Sequence, residues 1–147
     1  MPSAFFVMIT GFVLFIDQIS KYLLKDANLL LIPGILKLTG TKNTGLAFGL
    51  FSGNTWFLPL LTGLVIVFLI IYILTAKPHG MMAFGLSLVL GGAIGNLIDR
   101  LFHGFVIDFF ELLFVRFAVF NMADMAITIG CALCFIAVLI SKEEAHA

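Results

Sequence analysis

The chemically capable residues of this 147-residue chain are carboxylates placed where carboxylates are costly. Asp108 and Asp124 lie inside FVIDFFELLFVRFAVFNMADMAI, residues 105–127, which is otherwise almost wholly Phe, Val, Leu, Ile, Ala and Met. A charged side chain near the centre of a membrane helix costs about 2.5–3.5 kcal/mol on insertion scales. Asp17, Lys21, Asp99 and Arg100 stand in or beside apolar runs in the same way. Two aspartates that share one proton can activate water as a base and protonate a leaving amine as an acid. Other chemistries have no residues to carry them. The chain has no HExxH, no clustered His and Cys for zinc, no GxSxG elbow, no P-loop and no dinucleotide glycine pattern. His79, His103 and His146 are scattered, so no metal or cofactor is expected.

Each of these residues also has a purely structural reading. Asp17 and Lys21 are i and i+4, so they face one side of a helix as a structural ion pair or as a substrate contact. Asn96, Asp99 and Arg100 follow GGAIG within about one turn and can form one polar face. Arg100 can equally snorkel to a lipid phosphate. Gly91 and Gly95 have the small-xxx-small spacing of close helix approach, a weak signal taken alone. Asn121 and Asp124 are i and i+3, with Thr128 one turn further along the same face. Either Asp108 or Asp124 alone reads as a solvated interfacial carboxylate. Together, with only Arg116 as a cation between them, that reading weakens. Glu111 is read as solvated. Cys131 and Cys134 form a CxxC inside an apolar run and are read as small packing residues.

The elements that must position these groups are membrane elements. Hydrophobic residues make up 62% and charged residues 11%, far below the roughly 25% charged of a soluble domain. Mean hydropathy is +1.20. Net charge is zero, which gives no reason to expect nucleic acid. Four runs are long enough to span, residues 5–24, 57–76, 81–98 and 118–140, in one integral membrane domain covering 1–147. The first lacks a basic n-region and a small-residue cleavage site, so it is expected to be retained as a helix.

Two longer connections lie on one side of the membrane by alternation. In residues 25–56, Pro33-Gly34 reads as a turn, Leu36 to Thr39 alternates like a strand, and Gly40 to Gly45 reads as turn residues. A small β-structure on the membrane surface is expected, with Trp56 as an interfacial aromatic. The connection 99–117 has an apolar part too short to span and is read as re-entrant or interfacial. Lys77 and Lys142 mark the side of the termini, and Lys37, Lys42 and Arg116 the other, with Lys25 near it. The positive-inside rule then puts both large connections in the cytoplasm.

Five stretches in order resemble the lipoprotein signal peptidases, or signal peptidase II: DQISK at 17–21, NTGLAFG at 43–49, GGAIGNLIDR at 91–100, VIDFF at 106–110 and FNMAD at 120–124. The family often has VVDF where this chain has VIDF, and the interval from Asp108 to Asp124 is short. The resemblance implies a membrane aspartyl endopeptidase without a cofactor. It would cleave diacylglyceryl-modified prolipoproteins immediately before the lipidated cysteine, with membrane lipid as its surroundings and the enzyme a monomer. It implies Asp108 and Asp124 as the catalytic pair. Asp17, Lys21, Asn43, Gly45, Ala47, Phe48, Asn96, Asp99, Arg100, Asn121 and Ala123 would support or line the site. The implied architecture is four transmembrane helices with cytoplasmic termini, a small extracytoplasmic β-cradle and a re-entrant or interfacial segment. The site would lie on the outer, periplasmic face of the bacterial inner membrane, against the charge count. A proton-coupled transporter is the alternative from another class; it predicts polar residues spread through the bilayer depth. A non-catalytic membrane assembly protein is a third, and predicts no dependence on either aspartate.

Overall fold

The computed structural model describes residues 2–45 and 56–146, with side chains described for 4–45 and 56–141. Ala47 and Phe48 lie outside the described residues. The elements in chain order are α1 (Pro2–Leu24), β1 (Asn28–Ile32), β2 (Leu36–Asn43), α2 (Phe57–Ala76), α3 (Gly80–His103), β3 (Val106–Leu112) and α4 (Met122–His146). All four helices are long and apolar enough to cross a membrane.

The bundle is organised on α3. Of its spanning window 56% is buried, against 17–28% for the other three. The reason is its small residues. A Cβ on Gly95 would collide with the Asp17 carboxylate of α1, and one on Gly92 with the Ala123 carbonyl of α4. Gly91 meets Val13 of α1 as closely, so the Gly91–Gly95 spacing does mark a helix contact. With little hydrophobic drive between helices in lipid, such close backbone approach holds the bundle together. α2 is apolar all round and exposes Leu60, Leu64, Phe68 and Leu74, the surface of a lipid-facing helix.

The three strands form one antiparallel sheet in the order β1-β2-β3. β1 and β2 are a hairpin turning at Gly34, whose φ of 74° is a left-handed conformation that glycine adopts without strain. β3 returns from α3 after Gly104, also left-handed at φ 77°, whose N–H closes on the Arg100 carbonyl at 3.1 Å. It pairs Thr41 with Asp108 and Asn43 with Val106.

Three sequence expectations are corrected here. Gly40 to Asn43 is strand, not turn, because Thr41 to Asn43 pair with β3 and the Gly40 N–H bonds the Ala27 carbonyl at 2.8 Å. Gly40 is needed instead where β2 passes the end of α1, since a Cβ there would strike the Lys25 carbonyl. The connection 99–117, read as re-entrant or interfacial without a strand, holds one: α3 runs on to His103 and VIDFFEL becomes the third strand. The fourth helix starts at Met122 rather than 118. Phe120 is held by β3, its N–H on the Phe110 carbonyl at 3.1 Å and its carbonyl receiving the Phe109 and Phe110 N–H groups.

Candidate active site

Asp108 and Asp124 arrive at one site from two different elements. β3 alternates, so Val106, Asp108 and Leu112 line a cavity while Phe109, fully buried on the other face, pins the register. Asp124 comes from the first turn of α4. Asn121 precedes that helix and Asp124 is its third residue, and the two form a reciprocal cap. The Asp124 N–H donates to Asn121 Oδ1 at 2.9 Å, and the Asn121 N–H donates to Asp124 Oδ2 at 3.2 Å. The cap therefore fixes where the carboxylate points.

All four carboxyl oxygens of the pair accept from a fixed donor. Asp108 Oδ1 accepts from Asn121 Nδ2 at 2.7 Å and Oδ2 from Asn43 Nδ2 at 2.9 Å. Asp124 Oδ1 accepts from Asn96 Nδ2 at 2.8 Å. Asp108 is 2% exposed. Burial pushes its carboxyl up to about 6, Asp124 adds in the same direction, and the Asn43 and Asn121 donors and Lys21 oppose the rise.

Behind the pair lies a buried charged cluster. Lys21 of α1 donates to Asp17 Oδ2 at 2.8 Å, Asp99 Oδ2 at 3.0 Å and Asn96 Oδ1 at 2.9 Å. Its three N–H groups are thus matched by three acceptors, which is how an ammonium 2% exposed is tolerated. Asp17 is more than a partner for Lys21: its Oδ1 accepts the Ala123 N–H at 2.9 Å, an orphan donor at the start of α4. Ala123 is fully buried and contributes its backbone, the N–H to Asp17 and the carbonyl against Gly92 of α3. Asp99 reaches the other way and accepts the Ile107 N–H of β3 at 3.2 Å. The same two carboxylates thus tie α1, α3, β3 and α4 together.

The expected face of Asn96, Asp99 and Arg100 is divided. Asp99 turns toward α1, Arg100 lines the cavity, and Asn96 stands between. Arg100 contacts the Asn96 carbonyl and the Gly45 carbonyl, both at 3.4 Å. Asn43 Oδ1 accepts the Gly45 N–H at 2.9 Å. Thr128 lines the cavity but spends its hydroxyl on the Asp124 carbonyl at 2.8 Å. Glu111 is half-buried rather than freely solvated, accepting from Thr39 Oγ1 at 2.5 Å with Lys37 at 4.0 Å. Gln18 was not singled out from the sequence. Its Nε2 contacts Asp17 Oδ2, Asp99 Oδ1 and the Gly95 carbonyl at 3.2–3.3 Å. The available signal was its place in DQISK, beside the charged Asp17 in a largely apolar helix.

The cavity holds about 700 Å³ and is lined from α2, α3 and α4 by Leu61, Val65, Val89, Ile127 and Ile129. The polar groups converge at one end of the helices rather than along their length. That distribution does not fit a pathway through the bilayer.

The family model described as Signal peptidase (SPase) II matches residues 9–140. A lipoprotein signal peptidase of Lactococcus lactis subsp. lactis is 41% identical over 76% of this chain and 74% of its own. One of Brevibacillus brevis is 34% identical over 95% and 97%, and one of Lactobacillus johnsonii 37% over 97% and 96%. Two solved bacterial membrane enzymes share the fold. One has a TM-score of 0.89 at 31% identity, covering 96% of this chain and 91% of the other; the second has 0.83 at 32%, covering 92% and 93%. Fold, motif order and matched length together place the chain in the signal peptidase II family, the lipoprotein signal peptidases.

Proposed function

We propose that the chain is a membrane aspartyl endopeptidase that removes the signal peptide of diacylglyceryl-modified prolipoproteins immediately before the lipidated cysteine, with Asp108 and Asp124 as its catalytic pair. The observation that carries this reading is two carboxyls from separate elements, every oxygen held by a donor, beside a large apolar cavity. The cavity suits a signal-peptide segment together with an acyl chain. The ionised carboxylate takes a proton from water as the water oxygen bonds to the scissile carbonyl carbon. The protonated carboxyl donates to the carbonyl oxygen. Collapse of the tetrahedral intermediate breaks the C–N bond, the proton taken from water passes to the leaving amine, and the proton on the former carbonyl oxygen returns to the carboxylate that gave it. No metal is required. The enzyme works as a monomer in the bacterial inner membrane, with the sheet and site on the outer face.

The test is cleavage of diacylglyceryl-modified and unmodified prolipoprotein by the purified protein in lipid, read as a size shift. Cleavage of the modified form alone is expected, because the substrate enters laterally through the cavity. Equal rates on the two forms would remove the lipid requirement.

A further inference from the structure

Lys21 touches neither member of the aspartate pair, yet the bonds between it and them have only one consistent direction. An ammonium donates and never accepts, so the Asn96 atom 2.9 Å from Lys21 Nζ is the amide oxygen. The Asn96 amide nitrogen therefore points at Asp124 Oδ1, 2.8 Å away, which must accept. Asn96 Oδ1 also faces Asn121 at 3.1 Å, so the Asn121 atom there is its nitrogen, which extends to the Ile107 carbonyl and to Asp108 Oδ1. The Asn121 oxygen is left for the Asp124 N–H. One fixed donor orients both asparagines, and through them the donors at both carboxyls.

The two carboxyls are not equivalent in this frame. Asp124 receives Asn96 and the Asn121 N–H and sits at the positive end of α4, a place that favours a full negative charge. Among the described residues Asp108 receives two side-chain amides, from Asn43 and Asn121, and it lies on a strand rather than in the first turn of a helix. The other charged groups near the pair are Asp17 on α1 and Asp99 and Arg100 on α3; α2 carries none. Asp17 and Asp99 are committed to Lys21. On the sheet, Glu111 is engaged by Thr39, and Lys42 lies over the Phe105 ring.

We propose that Lys21 is a positioning residue: by fixing the direction of the Asn96 and Asn121 amides it assigns the catalytic roles, with Asp124 the ionised base and Asp108 the proton donor. This rests on the proposed peptidase function, and part of its test does not use activity.

Infrared difference spectra of the purified full chain in lipid, taken at about pH 5, should show a protonated carboxyl that is absent in Asp108→Asn and an ionised one that is absent in Asp124→Asn. The reverse assignment overturns the proposal, whether or not the protein cleaves prolipoprotein. In kinetics, Lys21→Met should lower kcat/KM about tenfold or more and move the acid limb of its pH profile upward by about one unit, since the base loses an oriented donor. Lys21→Met also strands two buried carboxylates. Asn96→Asp is the second variant: it keeps an acceptor for Lys21 and for Asn121 but replaces the donor to Asp124 by an acceptor. It should shift the acid limb in the same direction with the fold retained. A lower rate with an unmoved acid limb in Asn96→Asp would reduce Lys21 to a structural role. Absence of cleavage by wild type, with the infrared assignment as stated, would count against the peptidase function alone.

Discussion

Asn121 serves both aspartates at once: its side-chain nitrogen lies 2.7 Å from Asp108 Oδ1, and its backbone N–H lies 3.2 Å from Asp124 Oδ2. One fully buried residue thus couples the strand carboxyl to the helix carboxyl and caps α4. Asn121→Ala should cost both functions. Loss of the side-chain hydrogen bond to the neutral Asp108 carboxyl costs about 0.5–1.5 kcal/mol, or roughly 2–12-fold in rate. Loss of the cap removes a further ~1 kcal/mol of stability. Initial rates and thermal unfolding in detergent check this; normal values for either would show that the cap is dispensable.

Asp108 gives a pH prediction. Its carboxyl is raised to about 6, so it holds its proton below that pH and loses it as pH rises through it. The group needed as an acid is then lost, and kcat/KM should fall on an alkaline limb that begins near 6 in the free enzyme. Bound substrate expels water from the cavity and raises the limb further, so kcat should hold to higher pH. Profiles of the two constants distinguish this from a single shared limb.

Arg100→Ala and Asn96→Ala should impair cleavage while the chain still inserts. Arg100 reaches the Gly45 carbonyl across the cavity, and Asn96 holds Asp124. Each is expected to lose about tenfold or more. Wild-type rates in both would make the polar face a solvated surface.

Sheet-side residues should be outward despite the count of positive charges. Several of those cations are committed locally: Lys25 lies over the Tyr22 ring, Lys42 over Phe105, and Lys37 beside Glu111. They therefore say less about topology than free loop lysines would. Cysteines placed at Lys37 or Arg116 should react with an impermeant reagent from outside; labelling only from the cytoplasm would reverse the orientation.

The four helices and the aspartate pair were legible because cost made them so. A carboxylate in an apolar run is rare enough to read from a single sequence. The hairpin turn at Pro33-Gly34 was legible from its turn chemistry. The third strand was not: VIDFFEL has no polar alternation, because Phe109 is buried on one face and Asp108 on the other, so it read as interfacial. Gly40 misled as a turn residue because close approach to α1 and a turn leave the same glycine. The division of Asp99 from Arg100 depends on which neighbour each side chain meets, and helical spacing alone does not contain that. Gln18 was overshadowed by the charges beside it.

The most direct test is the initial cleavage rate of diacylglyceryl-modified prolipoprotein by wild type, Asp108→Asn, Asp124→Asn and the double variant, in lipid and in the presence of EDTA. Asp→Asn keeps the size and polarity of each group but removes proton exchange. The two carboxyls act as a unit, so both single variants should lose cleavage while still folding, and the double should be little worse than either. Wild type should be untouched by the chelator. A single variant with a near-normal rate, or a chelator-inhibited wild type restored by metal, would contradict the account.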